Sequence, residues 1–540
     1  MRQPSEQMSA QHRAEHKGLA TIANPAQSKS MIDDNLVTHF LDVAAAIGDK
    51  PFLIDGHDPV LNYADLDRET GRLAARLAAL GGNPGANTGG RVVVQVEKSP
   101  QAVLLYLAVL RAGMVFVPLN TAYTASELAY FLGDAEPAVV VCRPGDEVRF
   151  GAMAGAAVVV TLGADSLGSL LDDLPDEPAP VVPRAKDDLA AILYTSGTTG
   201  RSKGAMLSHG NLFSNAATLK ELWQWQPDDV LIHILPIYHV HGLFVALHGA
   251  LLAGASVIWH SEFDPAAVLA DFARASILMG VPTHYTRLID TPGLTRAAAK
   301  PMRLFISGSA PLLTEAHERF QVKTGQRILE RYGMTETGMI TSNPYDGERL
   351  AGSVGFPLPG VTVRIRTEQG QPVEIGEPGI LEVRGPNVFK GYWRNPEKTA
   401  EEFRDGRYFV TGDVATRNSE GRITLVGRAK DLIIAGGLNI YPKEIEEAID
   451  ALLGVAESAV IGVPHPDLGE SVVAVVARKP GARLTEASIL ADIINELARF
   501  KQPRRVIVVD SLPRNAMGKV QKAALRAEHA ALFAAAPVAS

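Results

Sequence analysis

The chain has 540 residues, enough for more than one domain with large buried cores. It is 46% hydrophobic and 21% charged, the balance of a globular protein, and a net charge of −8 with no long basic run excludes nucleic acid as its main partner. The single cysteine, Cys142, excludes an intramolecular disulfide framework and fits a reducing, cytoplasmic compartment.

Residues 1–30 are polar and lack the apolar core of a signal peptide, and Glu6 and Glu15 argue against a transit peptide. A disordered extension is expected there, with Met31 as a candidate natural start. The longest apolar stretch, 243–259, is broken by His248 and by several glycines and alanines, so no membrane span is expected. Helices over 36–45 and 64–80 open the folded part. Strand 91–96, helix 99–110, strand 115–118, helix 126–131 and strand 138–142 then alternate. This alternation predicts an α/β layered fold with largely parallel sheets. A loop rich in Pro and acidic residues, 173–188, leads to an apolar strand at 189–193.

The next stretch, 194–204, reads Tyr-Thr-Ser-Gly-Thr-Thr-Gly-Arg-Ser-Lys-Gly, and a helix is expected over 211–220. A strand, a Gly/Ser/Thr loop with one lysine, then a helix suits phosphate. Glycines let successive N–H groups turn toward one anion, hydroxyls add donors, and Lys203 adds a positive charge. The spacing is not that of a Walker A loop. Strand 230–236 precedes Tyr238-His-Val-His-Gly242, with His233 and His248 nearby. Without cysteine or an acidic partner there, a turn whose histidines cap the next helix is a simpler reading than a metal site. Strand 277–281 leads into a helix from 282 that carries Arg287, which is either solvated or aimed into a pocket. On residue type alone the solvated reading is favoured. Strand 302–311 ends in small residues that would let a flat ring approach, and 327–337 is a strand ending in a polar turn. A strand at 408–414 carries a carboxylate, Asp413, near its end. Beyond residue 430 come a helix at 443–449, strands 458–463 and 471–478, a helix 487–500 and a strand 505–509, then Pro513-Arg-Asn-Ala-Met-Gly-Lys519. This reads as a small α+β domain of about 110 residues.

The 194–204 stretch, together with the later segments in their order, resembles the acyl-adenylate-forming enzymes: acyl-CoA synthetases, firefly-type luciferases and peptide-synthetase adenylation domains. Many members carry Pro where this chain has Ser202. The resemblance covers roughly residues 35–528. It implies a large N-terminal domain (31–429) of layered α/β subdomains and a small mobile α+β C-terminal domain (430–540), after the extension 1–30. ATP would be held by Thr195, Ser196, Gly197, Thr198, Thr199, Gly200, Lys203, Gly308, Ser309, Ala310, Arg331, Tyr332, Gly333, Met334, Thr335, Asp413, Arg428 and Lys519. Tyr332 would stack on adenine, Thr335 contact the α-phosphate, and Asp413 and Arg428 bind the ribose. Glu336 would bind Mg²⁺. Lys519 would be the catalytic lysine of adenylation, with Lys203, Thr335 and Glu336 as its companions. Lys430 would be the hinge, and Gly436 and Gly437 would line the pantetheine tunnel of coenzyme A. His241, Ser307 and Arg287 would face the carboxylic acid.

The implied chemistry is attack of a carboxylate on the α-phosphate of ATP, then displacement of AMP by the CoA thiol after the small domain rotates. Both reactants of the first step are anions, so positioning and positive charge carry most of the catalysis. The stretches 235–244 and 334–349 are similar to those of malonyl-CoA synthetases, which makes malonate, with methylmalonate tolerated, the expected acid and Arg287 the expected partner of its far carboxylate. A medium-chain or aryl acyl-CoA synthetase is the rival enzyme, and a catalytically silent nucleotide-binding regulator the rival from another class. A lysine acyltransferase acting on Lys519 is a further expected partner.

Overall fold

The structure, a computed structural model, describes residues 33–81, 89–165, 167–195, 202–435, 438–466, 468–494, 496–515 and 518–533. The extension 1–30 therefore lies outside the described residues, as do Ser196–Gly200, Gly436 and Gly437.

The valine runs behave as a doubly covered parallel sheet requires. Val92, Val94, Val139 and Val141 enter one core and Val93, Val115, Val117 and Val140 the other, so successive side chains feed opposite faces. The strands run in the order Val158–Thr161, Val139–Cys142, Arg91–Gln95, Val115–Pro118, Leu189–Thr195 and Lys203–Ser208, parallel except for the last. Between them the helix Pro100–Arg111 starts where Ser99 accepts from the Ala102 N–H and Pro100 supplies a preset φ.

A second sheet has nine strands. Its middle is parallel (Leu329–Met334, Leu304–Ser307, Ile277–Gly280, Val230–His233, Ser256–Trp259, Pro51–Asp55), and its edges are antiparallel. A third sheet, antiparallel, carries Tyr408–Arg417 and Ile423–Arg428. The small domain packs Val455–His465 against Gly469–Arg478, with Arg505–Val509 added parallel. Its core is separate, built from residues such as Ile445, Ile449, Val460 and Ile489. The chain is thus mixed α/β, with a large parallel-sheet body and a smaller β-rich C-terminal unit.

Three local expectations are corrected. The loop after Leu189–Thr195 does not lead directly into a helix. The chain first returns as the antiparallel strand Lys203–Ser208, and the helix His209–Leu222 follows, capped by Ser208. Lys203 therefore stands on a strand, with Ala205 and Leu207 of that strand buried in the same core as Ala191 and Leu193. The turn before 239 is present and His239 Nδ1 accepts from the His241 N–H (3.3 Å), but the helix that follows does not begin as an α-helix. His241–Leu247 is a π-helical stretch that runs into the α-helix His248–Ala253, a form that recurs at functional sites. The helix expected over 487–500 spans only Glu486–Ile493, and the Gln502 amide donates to the carbonyls of Ile494 and Leu497 just past its end. Among the described residues no helix is long and apolar enough to cross a membrane.

Candidate active site

The strand Leu329–Met334 ends in a tight hairpin that presents Thr335 and Glu336. The hairpin tip is held by the Thr337 N–H on Met334 O (3.2 Å) and by the Asn387 amide on Thr337 O (2.8 Å). Glu336 is 5% exposed and has no ion pair among the described residues. Its Oε1 accepts from Thr195 Oγ1 (3.4 Å) and lies 3.1 Å from the Tyr392 hydroxyl. Burial pushes its carboxyl above the usual range. The Tyr392 hydroxyl is also 2.7 Å from Glu402 Oε2, so two carboxylates share one phenol. Lys203 Nζ sits 3.0 Å from Glu402 Oε1 and 4.5 Å from the centre of the Tyr392 ring. Burial opposes ionisation of Glu402, yet hydrogen bonds from Tyr392 and Lys203 hold it below its ordinary value. A buried hard-oxygen carboxylate beside the end of the phosphate-loop strand fits Mg²⁺, which takes one or two carboxylates and completes its shell with water and phosphate. No group of three or more His, Cys, Asp or Glu side chains is arranged for a metal among the described residues.

Tyr332, on the same strand, hydrogen-bonds Asp413 Oδ2, and Arg428 Nε reaches Oδ1 at 2.9 Å. Burial raises the Asp413 carboxyl despite the arginine beside it. Lys519 follows a tight turn in which Asn515 Oδ1 accepts from the Lys519 N–H (2.9 Å) and Gly518 takes φ +74°. Crowding by protein pushes the Lys519 ammonium below its usual value, followed by repulsion from Arg428, with Asp413 and Glu336 opposing. The residue nevertheless keeps more than a third of its surface accessible. The small domain thus places Lys519 within electrostatic reach of the carboxylates that the large domain gathers.

The opposite face of the strand Leu329–Met334 meets a different set. Arg331 is 4% exposed and packs against Gly308. His241 is buried, with Nδ1 3.2 Å from Ser309 Oγ, and Ser309 itself has φ +71°. Burial, then the nearby Arg331, drives the His241 imidazole well below its ordinary value. His239 is lowered to about 3 by burial and by the charges of Lys519 and Arg331, so both rings are neutral at physiological pH. Ser307 is 1% exposed and its hydroxyl has no hydrogen-bond partner among the described residues. Arg287 stands exposed on the helix Pro282–Asp290, and its charge helps to depress His284, whose ring stacks on Phe263 at 4.3 Å. Lys430 lies in the short 3₁₀ turn Ala429–Asp431 between the two domains, next to the Arg526–Asp431 ion pair.

Three participants carried no readable signal in the sequence. Glu402 and Tyr392 come to Lys203 from almost two hundred residues away. Lys98 places its ammonium 4.5 Å from the centre of the Trp259 ring and 2.9 Å from His233 O, and burial pushes it well below the usual lysine range. Nothing in its local pattern distinguishes it from a solvated charge.

Two family models match the chain: "AMP-binding enzyme" over residues 40–393 and "AMP-binding enzyme C-terminal domain" over 444–519. ATP-bound MatB from Rhodopseudomonas palustris superimposes with a TM-score of 0.89 at 52% identity, covering 93% of this chain and all of that one. A feruloyl-CoA synthase of Amycolatopsis sp is 37% identical over 86% of this chain and 93% of its own length. The mitochondrial malonate–CoA ligase of Homo sapiens is 34% identical over 89% of this chain and 90% of its own.

Proposed function

The chain belongs to the AMP-binding enzymes, and from that membership we propose that the acid it joins to coenzyme A is malonate, with methylmalonate tolerated. The coarser activity needs no proposal: it is an acid–thiol ligase that uses ATP, Mg²⁺ and CoA. The observation that carries the finer reading is the lining of the acyl side. Neutral His239 and His241, Ser307 and a buried arginine surround it, where an aryl or fatty acid would need apolar volume. The likeness to a malonate–CoA ligase points the same way, while the feruloyl-CoA synthase is the reason a test is needed.

In the proposed reaction a carboxylate oxygen of the acid bonds to the α-phosphorus and the bond to pyrophosphate breaks. The CoA thiolate then attacks the acyl carbon and AMP leaves. Glu336 would hold Mg²⁺, whose charge would offset that of the phosphates. Lys519 holds its ammonium where the α-phosphate and the acid meet. Neutral His241 places its ring against the acid without adding a charge that would tie down the attacking carboxylate. Asp413, oriented by Tyr332 and Arg428, accepts from the ribose. Lys203 holds the far phosphates once it leaves Glu402. Arg287 reaches the far carboxylate of malonate from the rim. The hinge at Lys430 and the tunnel at Gly436 and Gly437 serve the thioester half, in which Lys519 withdraws.

The test is product analysis. Enzyme with ATP, Mg²⁺, CoA and malonate is expected to form malonyl-CoA, AMP and pyrophosphate in equal amounts. ATP binding without AMP formation would move the protein to the silent-regulator reading.

A further inference from the structure

Lys203 and Glu402 form an ion pair whose two partners are unequally committed. Lys203 Nζ lies 3.0 Å from Glu402 Oε1, the lysine's one ion pair among the described residues. Its other close neighbour is the face of Tyr392, whose ring centre is 4.5 Å away. Glu402 has more support. Lys398 Nζ stands 3.3 Å from the same Oε1, and the Tyr392 hydroxyl 2.7 Å from Oε2. Without Lys203 the carboxylate keeps a cation and a donor, whereas without Glu402 the lysine keeps only the ring. The two side chains are 17% and 22% exposed, so water screens the pair only in part.

The backbone around the pair is tied down. Lys203 opens the strand Lys203–Ser208 opposite Thr195, whose Oγ1 reaches Glu336. The segment 390–393 runs along the outer edge of that strand. The N–H groups of Lys390 and Trp393 donate to Met206 O (2.8 Å) and Gly204 O (2.7 Å), and the Met206 N–H donates to Gly391 O (3.0 Å). Tyr392 is thereby set beside Lys203. Its N–H donates to Thr399 Oγ1 (2.9 Å), which ties the short helix Pro396–Glu401 to the same segment. Glu402 follows that helix, and its carbonyl accepts from the Val410 N–H (2.8 Å). A lysine's flexible four-carbon stem lets the ammonium swing while its strand stays in place.

Resting on the reading of Lys203 as the lysine of the far phosphates, we propose that Glu402 is a stand-in for pyrophosphate. It holds the Lys203 ammonium when no phosphate is present, yields it to ATP, and takes it back as pyrophosphate leaves. Glu402 is thus a positioning residue for product release that acts through Lys203. The exchange swaps one anion for another around a single cation, and neither stage strands a charge. Glu402 falls back on Lys398 and Tyr392 while phosphate occupies Lys203, and Lys203 returns to Glu402 afterwards. Because part of the lysine is always claimed by the carboxylate, ATP and pyrophosphate both bind less tightly than a free Lys203 would allow.

The test is titration calorimetry of pyrophosphate into the full-length protein, in EDTA and without any acid, so that neither metal nor acid specificity enters. In Glu402→Gln, which keeps the shape and loses the charge, the Kd for pyrophosphate is expected to fall about tenfold. Stopped-flow displacement of bound pyrophosphate is expected to slow by a similar factor, since variants of one site differ mostly in dissociation. Lys203→Met is expected to weaken binding, and in that background Glu402→Gln is expected to change the Kd by less than about threefold. Tighter binding is a result that damage to the fold does not produce. Unchanged or weaker binding in Glu402→Gln, with Lys203→Met weaker than wild type, overturns the role of Glu402 and leaves that of Lys203. Equal tightening with and without Lys203 reflects net charge rather than exchange at the lysine, and also overturns the inference. Unchanged binding in Lys203→Met overturns the phosphate reading of Lys203 itself.

Discussion

Tyr332 and Arg331 are consecutive residues of one strand and so face opposite ways, and the charges on their two sides are managed in opposite ways. On the ribose side, Asp413 is 6% exposed and both oxygens are already engaged, one by Tyr332 and one by Arg428. On the opposite side, Arg331 is equally enclosed and, among the described residues, engaged by nothing that carries charge. The first arrangement is complete without substrate and acts as a scaffold that orients an acceptor. The second leaves a charge without a partner among the described residues. Buried charge that a fold leaves uncompensated is where specificity for a charged ligand can be read.

The comparison breaks most severely at Lys519, a cation left partly exposed. Lys519→Ala is expected to slow pyrophosphate release by about 10²–10³-fold, in the range for loss of one donor to a developing charge. Its melting temperature should stay near wild type, since more than a third of the residue is accessible. Rapid-quench measurement of pyrophosphate checks the first expectation and a thermal melt the second.

Asp450 gives the next contrast. It lies in the small domain with Oδ1 enclosed and unpartnered, and burial pushes its carboxyl up to about 7, helped by Glu446 and Glu457. Unlike an arginine, it can escape the cost by taking a proton. Its stabilising contribution is therefore full below pH 4 and lost as pH rises through about 7. Asp450→Asn is expected to raise stability by about 1–4 kcal/mol at pH 8 and by clearly less at pH 5. Denaturation at the two pH values measures it, and equal effects at both would mean that the carboxyl is not enclosed.

Arg428→Met leaves Asp413 enclosed with only Tyr332. The arginine itself is 39% exposed, so water partly screens the pair. The expected loss of stability is about 1–2 kcal/mol, below that of a fully buried pair. The opposite sign in Arg331→Met is what the comparison requires. A denaturant titration of the two variants side by side reads it.

The smallest effect is expected at Tyr392. Its hydroxyl stabilises the ionised form of Glu336, whose carboxyl burial already raises. Tyr392→Phe should raise that carboxyl further and move the acid limb of kcat/KM for MgATP up by about half to one pH unit. A pH profile at fixed free Mg²⁺ measures the shift, and an unmoved limb would separate Glu336 from metal binding.

The order of the large elements was readable because buried parallel strands are apolar without alternation and because Ser99-Pro100 and Tyr441-Pro442 announce helix starts. The hairpin strand Lys203–Ser208 was not, since six residues between a glycine-rich loop and a capping serine hold no full period of either kind. Asp413, Glu336 and Lys519 could be picked out because each stands in a motif. Glu402 and Tyr392 could not, because their role depends on contacts across almost two hundred residues. Arg331 was named for its place beside Tyr332, but only three dimensions show that it is enclosed, unpaired and pressed on Gly308. Arg287 shows the converse: on residue type the solvated reading was favoured, only the family resemblance drew it toward the acid, and it stands exposed on the helix Pro282–Asp290.

The most direct measurement is kcat/KM for CoA-dependent AMP and pyrophosphate formation across malonate, methylmalonate, acetate, succinate, octanoate and 4-coumarate. Malonate is expected to lead, methylmalonate to follow, and octanoate and coumarate to fall at least about 100-fold behind. Preference for octanoate or coumarate would contradict the account of a short, cationic acyl site while leaving the ATP half intact.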